Sequence, residues 1–164
     1  MMRLALSLGI LAAMVLVACG GSSTSTKSSK PAGPTKAEFI AQVNPLCATA
    51  KRRAPTAAIN AAIGEFPTPT AKIARLLRKT RVVIDDLTRR LTAIPPPPAD
   101  RAAVTRWISE LAAIGKLVTR AEGQVSRNDL VGAVKSEQDI QGASIDPVAF
   151  AKDYGLSSCS SLAT

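Results

Sequence analysis

The chain of 164 residues carries 21 Lys and Arg residues against 12 Asp and Glu residues, and its formal net charge is +9. It contains no histidine, which excludes Ser–His and Cys–His catalytic pairs and histidine metal sites. It also lacks a P-loop, an EF-hand and a dinucleotide-binding glycine pattern, so we predict a protein that is not an enzyme and uses no metal or other cofactor.

The first predicted element is an export leader. Arg3 precedes an apolar stretch at residues 4–18, which is shorter than the roughly 20 residues of a membrane-spanning helix. The stretch ends in Leu16-Val17-Ala18-Cys19, with a small residue directly before a cysteine, as in a bacterial lipobox. We therefore expect Cys19 to become the N-terminus and to carry acyl chains at the outer face of the cytoplasmic membrane. In the alternative, an ordinary secretory peptide, Cys19 stays a plain thiol.

The number of cysteines supports this interpretation. If Cys19 is lipidated, Cys47 and Cys159 remain as one pair in an oxidising compartment, where disulfides persist. We predict that these two residues form a disulfide, and two unpaired buried thiols are the alternative.

Composition divides the rest of the chain into a tether and a domain. After Cys19, residues 20–34 are almost entirely Gly, Ser, Thr, Lys, Pro and Ala, and such a segment cannot offset its ordering entropy. We predict a lipoprotein signal peptide at residues 1–18, a lipidated cysteine and flexible tether at 19–34, and a domain at 35–164.

Apolar residues in the domain recur at helical spacing, so we predict an all-α fold. The first helix begins at Thr35-Lys36-Ala37-Glu38, a capping box, and Cys47 lies on its apolar face. Pro45 falls inside this helix and is expected to kink it. A short helix is predicted next within residues 55–69, ending before Gly64.

The clearest apolar face predicts a long helix at about residues 70–94. Four prolines at 95–98 must end it, and Asp100 can cap the helix that follows. Trp107 lies on the apolar face of that helix, where we expect it to belong to the core.

The last helical region is predicted to begin at Asn128-Asp129, and Gln138 and Gln141 interrupt its apolar face. Asp146-Pro147 is expected to begin a separate short helix that ends at Gly155, after which the chain extends to Cys159. The expected fold is an antiparallel helical bundle of about four main helices, closed by one disulfide.

The order of these features resembles a group of small, mostly uncharacterised actinobacterial lipoproteins. The resemblance rests on the lipobox, the Ser/Thr-rich tether, Thr-Lys-Ala-Glu-Phe-Ile-Ala leading to Cys47, a Pro-rich elbow, and Tyr154-Gly155-Leu156 followed by Cys159. It covers most of the mature chain and implies an α-helical exported domain with no established activity. Asn44-Pro45 and the tail beyond Cys159 depart from the pattern of the group.

Positive charge is the remaining indication of function. Removal of the leader removes one cation, Arg3, and leaves a formal charge of +8. Cations concentrate at the end of the first helix and the start of the long one. They are Lys51, Arg52, Arg53, Lys72, Arg75, Arg78 and Lys79. They either serve solubility and the helix macrodipole or attract anionic lipid headgroups or acidic envelope polymers. Nucleic acid is not an expected partner, because the chain is exported and its few aromatic residues do not interleave with these runs.

Two functions fit these features. The first is a non-enzymatic, lipid-anchored extracytoplasmic interaction or structural module of the bacterial cell envelope, which presents a helical surface to an envelope protein. The alternative is an envelope carrier that binds a small apolar ligand within the bundle, with Gln138 and Gln141 as polar contacts. A cavity between the helices would favour the carrier.

We expect the variant Cys19→Ala to lose its membrane attachment, because the apolar leader is too short to span a bilayer. Membrane fractionation at high salt measures this effect: the wild-type chain should stay in the membrane fraction and the variant should leave it. Equal retention of both chains would contradict the lipobox.

Overall fold

The computed structural model describes residues 33–162 apart from Phe66 and Thr68, so the predicted signal peptide, Cys19 and nearly all of the tether lie outside the described residues. The described part is all-α, as predicted. Its helices are α1 (Lys36–Arg53), α2 (Thr56–Ile63), α3 (Thr70–Thr92), α4 (Arg101–Ser126), α5 (Leu130–Tyr154) and α6 (Ser157–Ser160). A single 3₁₀ turn, Pro98–Asp100, precedes α4 in this part of the chain.

Helix α1 begins with the predicted capping box. The Thr35 hydroxyl accepts a hydrogen bond from the Glu38 backbone N–H at 3.2 Å, and the Glu38 carboxylate accepts one from the Thr35 N–H at 2.7 Å. The helix continues through Pro45 to Arg53. One face of α1, which includes Cys47, is buried against the rest of the bundle.

The proline run ends α3 as predicted, but the prediction that the Asp100 side chain caps α4 is wrong. Asp100 occupies the N-cap position without a side-chain capping bond. Its carboxylate instead accepts a hydrogen bond from the Tyr154 hydroxyl, with 2.6 Å between the oxygens. Burial and this bond to the Asp100 carboxylate raise the pKa of Tyr154 above its ordinary value. The Asp100 side chain therefore joins the start of α4 to the end of α5.

Helix α5 is continuous through Pro147, so the prediction of a separate helix starting at Asp146-Pro147 is wrong. Pro147 lacks an N–H and removes one helical hydrogen bond. Its carbonyl oxygen accepts a hydrogen bond from Trp107 Nε1 at 3.2 Å, and its ring is buried, so α4 holds the helix in line at this point. Asp129 caps the helix at Gly132 N–H, and Gly155, with φ of 93°, ends it as predicted.

The segment after Gly155 is the short helix α6, and the predicted extended segment is wrong. Asn44 Oδ1, on α1, accepts a hydrogen bond from the Ser158 backbone N–H at 3.1 Å. One turn further along α1, Cys47 forms the predicted disulfide with Cys159, with 5.0 Å between the Cα atoms. Both contacts hold α6 against α1, and Asn44 thus acts in the cap of a helix 114 residues away.

Within the described domain α1 and α2 each pack on α3, α3 packs on α4, and α4 packs on α5. Helix α6 then contacts both α5 and α1. The larger core cluster surrounds the disulfide and includes the buried Trp107, as predicted. Its aromatic side chains form a row from Phe39 through Tyr154 and Phe150 to Trp107, with centroid distances of 6.1, 5.1 and 5.8 Å. A smaller cluster packs α2 against the first turns of α3.

Reduction of the Cys47–Cys159 bridge should lower the melting temperature of the domain. The bridge closes a loop of 112 residues, which corresponds to about 4 to 5 kcal/mol in the chain-entropy model. Thermal unfolding with and without reductant measures the shift, and the double variant Cys47→Ser, Cys159→Ser is the control that reductant should leave unchanged. An unchanged melting temperature after full reduction would contradict the role assigned to the bridge.

Candidate functional site

The last turn of α1 carries Lys51, Arg52 and Arg53, and all three side chains are exposed. Cations at a helix C-terminus are stabilised by the macrodipole, so this run has a structural explanation. Arg52 also donates a hydrogen bond to the Thr49 hydroxyl at 3.0 Å. The run on α1 alone therefore does not require a partner.

A cluster around Asp86 joins the end of α1 to α3. The Asp86 carboxylate contacts Arg53 of α1 at 2.9 Å, Arg90 at 3.1 Å, and Arg89. Desolvation raises the pKa of Asp86, but the hydrogen bonds with these three arginines outweigh it and hold the pKa below its ordinary value. Three cations thus surround one carboxylate, so the cluster has a net positive charge.

The first half of α3 holds the second basic run. Lys72 pairs with Glu65 in the preceding loop, and Arg78 pairs with Glu122 of α4 at 2.7 Å. Arg75 and Lys79 are exposed, and neither has an ion pair within the described part of the chain. They lie one helical turn apart on the same face of α3.

The charge of α3 is unusual for its position in the helix. Its 23 residues include seven Lys or Arg and two Asp residues. Lys72 lies in the first turn, where the macrodipole disfavours cations, and Arg75 repels Lys79 at the i,i+4 spacing. Helix-end complementation therefore explains the run on α1 but not the run on α3.

The seven cations predicted from the sequence do not form one site. Arg53, Lys72 and Arg78 are paired with carboxylates of other elements, whereas within the described residues no ion pair involves Arg75 or Lys79, nor Lys51 and Arg52 at the end of α1. Sequence reasoning left Arg89 and Arg90 out of the candidate surface, because their spacing to Asp86 predicts ordinary surface ion pairs. Arg53 contacts Asp86, 33 residues later in the chain, and Asp86 also contacts Arg89 and Arg90. Arg89 and Arg90 therefore lie beside the basic run of α1.

A surface pocket with a volume of about 330 Å³ lies between α4 and α5. Its lining residues are Ala102, Ala103, Arg106, Trp107, Glu110, Asp146 and Phe150. Gln138 and Gln141, the polar contacts predicted for a carrier, do not line it: both are exposed, and Gln141 donates a hydrogen bond to Glu137 at 3.0 Å. A cavity between α1 and α3 measures about 20 Å³ and holds at most a water molecule.

Within the described residues there is no group of three His, Cys, Asp or Glu side chains that could hold a metal ion. No helix in the same part of the chain is long and apolar enough to cross a membrane.

The variant Asp86→Asn should lower the free energy of unfolding at neutral pH, and its difference from the wild type should shrink in acid. Because the folded-state pKa of Asp86 is depressed, its stabilising effect is present above the unfolded-state pKa of about 3.9 and is lost as the pH falls through the folded-state pKa. Urea unfolding at several pH values measures this dependence.

Asp85→Asn is the matched control, because Asp85 is an exposed neighbour that pairs with Arg81 at 3.3 Å. This variant should have the smaller effect at neutral pH. A deficit of Asp86→Asn that stays constant down to acid pH would contradict the assignment.

No protein-family model, curated protein or solved structure matches this chain.

Proposed function

We propose that the protein is a non-enzymatic, lipid-anchored module of the bacterial cell envelope, held at the outer face of the cytoplasmic membrane by Cys19. Its α3 surface contacts anionic headgroups of the same membrane, and other parts of the bundle remain available to an envelope protein. The proposal adopts the resemblance to small actinobacterial lipoproteins. The observation that carries it is the exposed pair Arg75 and Lys79, two like charges one turn apart on α3 that have no carboxylate partner in the described domain.

The energetic argument concerns what these two cations cost the folded domain. Two like charges one turn apart repel each other and destabilise the helix by a few tenths of a kcal/mol per pair. An anionic surface reverses the sign of that effect, because each cation near the leaflet contributes roughly 1 kcal/mol of attraction. The arrangement is therefore unfavourable in water and favourable on an anionic membrane.

The proposed anchor keeps the domain within reach of such a surface. If residues 20–34 form the predicted flexible tether, its expected r.m.s. length is roughly 20 Å. Electrostatic attraction fades over a Debye length of about 8 Å at physiological ionic strength, so the headgroups act on α3 only when the domain lies close to the membrane. The lipid supplies the permanent attachment, and the basic surface orients the domain.

A carrier remains a second candidate, favoured by the pocket between α4 and α5. Its volume of about 330 Å³ is at the lower end of the range for small-ligand sites. Trp107 and Phe150 give it an apolar wall, whereas Arg106, Glu110 and Asp146 make its rim charged. A purely apolar ligand would meet this rim, and for that reason the envelope module is the first proposal.

The variant Arg75→Gln, Lys79→Gln should bind anionic vesicles more weakly than the wild-type domain. Loss of two cations removes about 2 kcal/mol of attraction, or on the order of thirtyfold in the binding constant at low salt. Co-sedimentation of a soluble domain starting at Thr35 with vesicles containing an anionic lipid measures the difference. Raising the salt to about 0.5 M should abolish binding of both proteins.

The matched control is Arg101→Gln, Lys152→Gln, which removes the same charge from exposed positions on α4 and α5. It should bind almost as well as the wild type. Equal losses in the two double variants would show that only the net charge matters, and equal binding of the wild type to neutral vesicles would remove the electrostatic contact altogether.

A further inference from the structure

Two aromatic side chains of fixed position form the apolar wall of the pocket between α4 and α5. Trp107 is 1% exposed, and its indole N–H already donates a hydrogen bond to the Pro147 carbonyl. The Phe150 ring packs on Trp107 with 5.8 Å between the ring centroids, and it stacks on Tyr154 at 5.1 Å. Trp107 and Phe150 therefore offer a ligand apolar contact but no free hydrogen-bond donor.

Small residues keep the α4 side of the pocket open. Ala102 and Ala103 are exposed, and they lie one helical turn before Arg106 and Trp107. With a single methyl group at each position, the pocket keeps its volume of about 330 Å³. This volume is sufficient for a small ligand.

The rim of the pocket has an excess of negative charge. Glu110 pairs with Arg106 at 2.7 Å, so these two charges neutralise each other. Asp146, on α5, is exposed, and its carboxylate has no ion pair within the described residues. The lining thus has two carboxylates and one guanidinium, on a chain whose formal charge is positive.

The charged groups of the rim act on one another. The hydrogen bond and the charge of Glu110, and less strongly the charge of Asp146, raise the pKa of Arg106. Asp153 lies about two turns beyond Asp146 on the same face of α5, and it too has no ion pair in the described domain. The α5 side of the pocket therefore attracts a positive charge.

The aromatic row already contacts a cation at a neighbouring ring. Lys36 Nζ lies over the Tyr154 ring, 4.1 Å from its centroid. The negative face of an aromatic ring attracts a positive group at this distance. Phe150, the next ring of the row, is partly exposed in the pocket and can contact a second cation.

We propose that the pocket between α4 and α5 binds a small organic cation, which is an ammonium group on an apolar body. The apolar body lies on Phe150 and Trp107, and the ammonium group pairs with Asp146. A purely apolar ligand would desolvate the Asp146 carboxylate without pairing it, and an anion would be repelled by it. The site does not depend on the membrane contact proposed for α3, because its lining residues belong to α4 and α5.

The fluorescence of Trp107, the single tryptophan of the chain, can report occupancy of the pocket. The probe is benzyltrimethylammonium, which has a permanent positive charge on an aromatic body, and benzoate is its anionic counterpart. Titration of the full-length protein in a non-ionic detergent at low salt should give a saturable change in emission with the cation and little change with benzoate. Bound cation should also raise the melting temperature.

The variant Asp146→Asn should weaken binding of benzyltrimethylammonium by about two- to fivefold, as expected for loss of a partly solvated ion pair. The matched control is Glu137→Gln, which removes a carboxylate from an exposed position of α5 outside the pocket and should bind like the wild type. Ala103→Leu places a larger side chain in the pocket. It should abolish the saturable change while keeping the wild-type helix content.

Equal binding of benzoate and benzyltrimethylammonium, or an unchanged affinity of Asp146→Asn, would overturn the assignment of a cation. The absence of a saturable change with either probe, or unaltered binding by Ala103→Leu, would overturn the pocket as a binding site. Neither result affects the proposal for α3, because no membrane takes part in these measurements.

Discussion

The attachment of α6 to α1 is the constraint on which the rest of the bundle depends. Helix α1 contacts Tyr154 of α5 through Phe39, and it packs mainly on two other helices, first on α3 and second on α6. The Cys47–Cys159 bond and the hydrogen bond from Ser158 N–H to Asn44 make this second contact on successive turns of α1. Because α6 follows α5 directly, fixing it on α1 also brings Tyr154 against Phe39. The contact of α6 with α1 therefore also positions Phe39 and Tyr154 in the aromatic row.

The two basic runs differ in how their cations affect the stability of the domain, because they occupy different positions in their helices. The run at the end of α1 satisfies the macrodipole and one of its members pairs with Asp86, so it stabilises the domain by itself. The run in α3 lies at the other end of a helix, and two of its members have no acid to neutralise them in the described domain. A cation that does not stabilise its own domain favours a contact with an anion outside the domain. This distinction, and not the total charge, supports an anionic surface as a partner.

Much of the fold could be predicted because its helices are defined by local signals. The apolar repeat of α3, the capping box of Thr35 and Glu38, and Gly155 at the end of α5 all act within a few residues. The errors concern contacts between distant residues. Trp107 donates a hydrogen bond to the Pro147 carbonyl, 40 residues later in the sequence. The Tyr154 hydroxyl donates one to the Asp100 carboxylate, 54 residues earlier. Local patterns contain no information about such partners.

The ion pairs of the candidate site also fall into pairs within one helix, which sequence predicts, and pairs between helices, which it does not. The i,i+4 pairs of Arg81 with Asp85 and of Asp86 with Arg90 follow from helical spacing alone. The pairs of Arg53 with Asp86 and of Arg78 with Glu122 depend on how helices pack, and they determine which cations are left without a carboxylate. Sequence could therefore name the basic residues but could not show that, within the α3 run, Arg75 and Lys79 have no carboxylate partner in the described part of the chain.

The connection between Asn44, Cys47 and α6 has a consequence for the order in which the chain can fold. Cys47 lies in the first helix of the described domain and Cys159 in the last, so every helix between them must be made before the bond can form. If the chain is exported as proposed, the bond must also wait until both cysteines reach an oxidising compartment. Until then α6 is held on α1 by packing and by the hydrogen bond from Ser158 N–H to Asn44, without a covalent link.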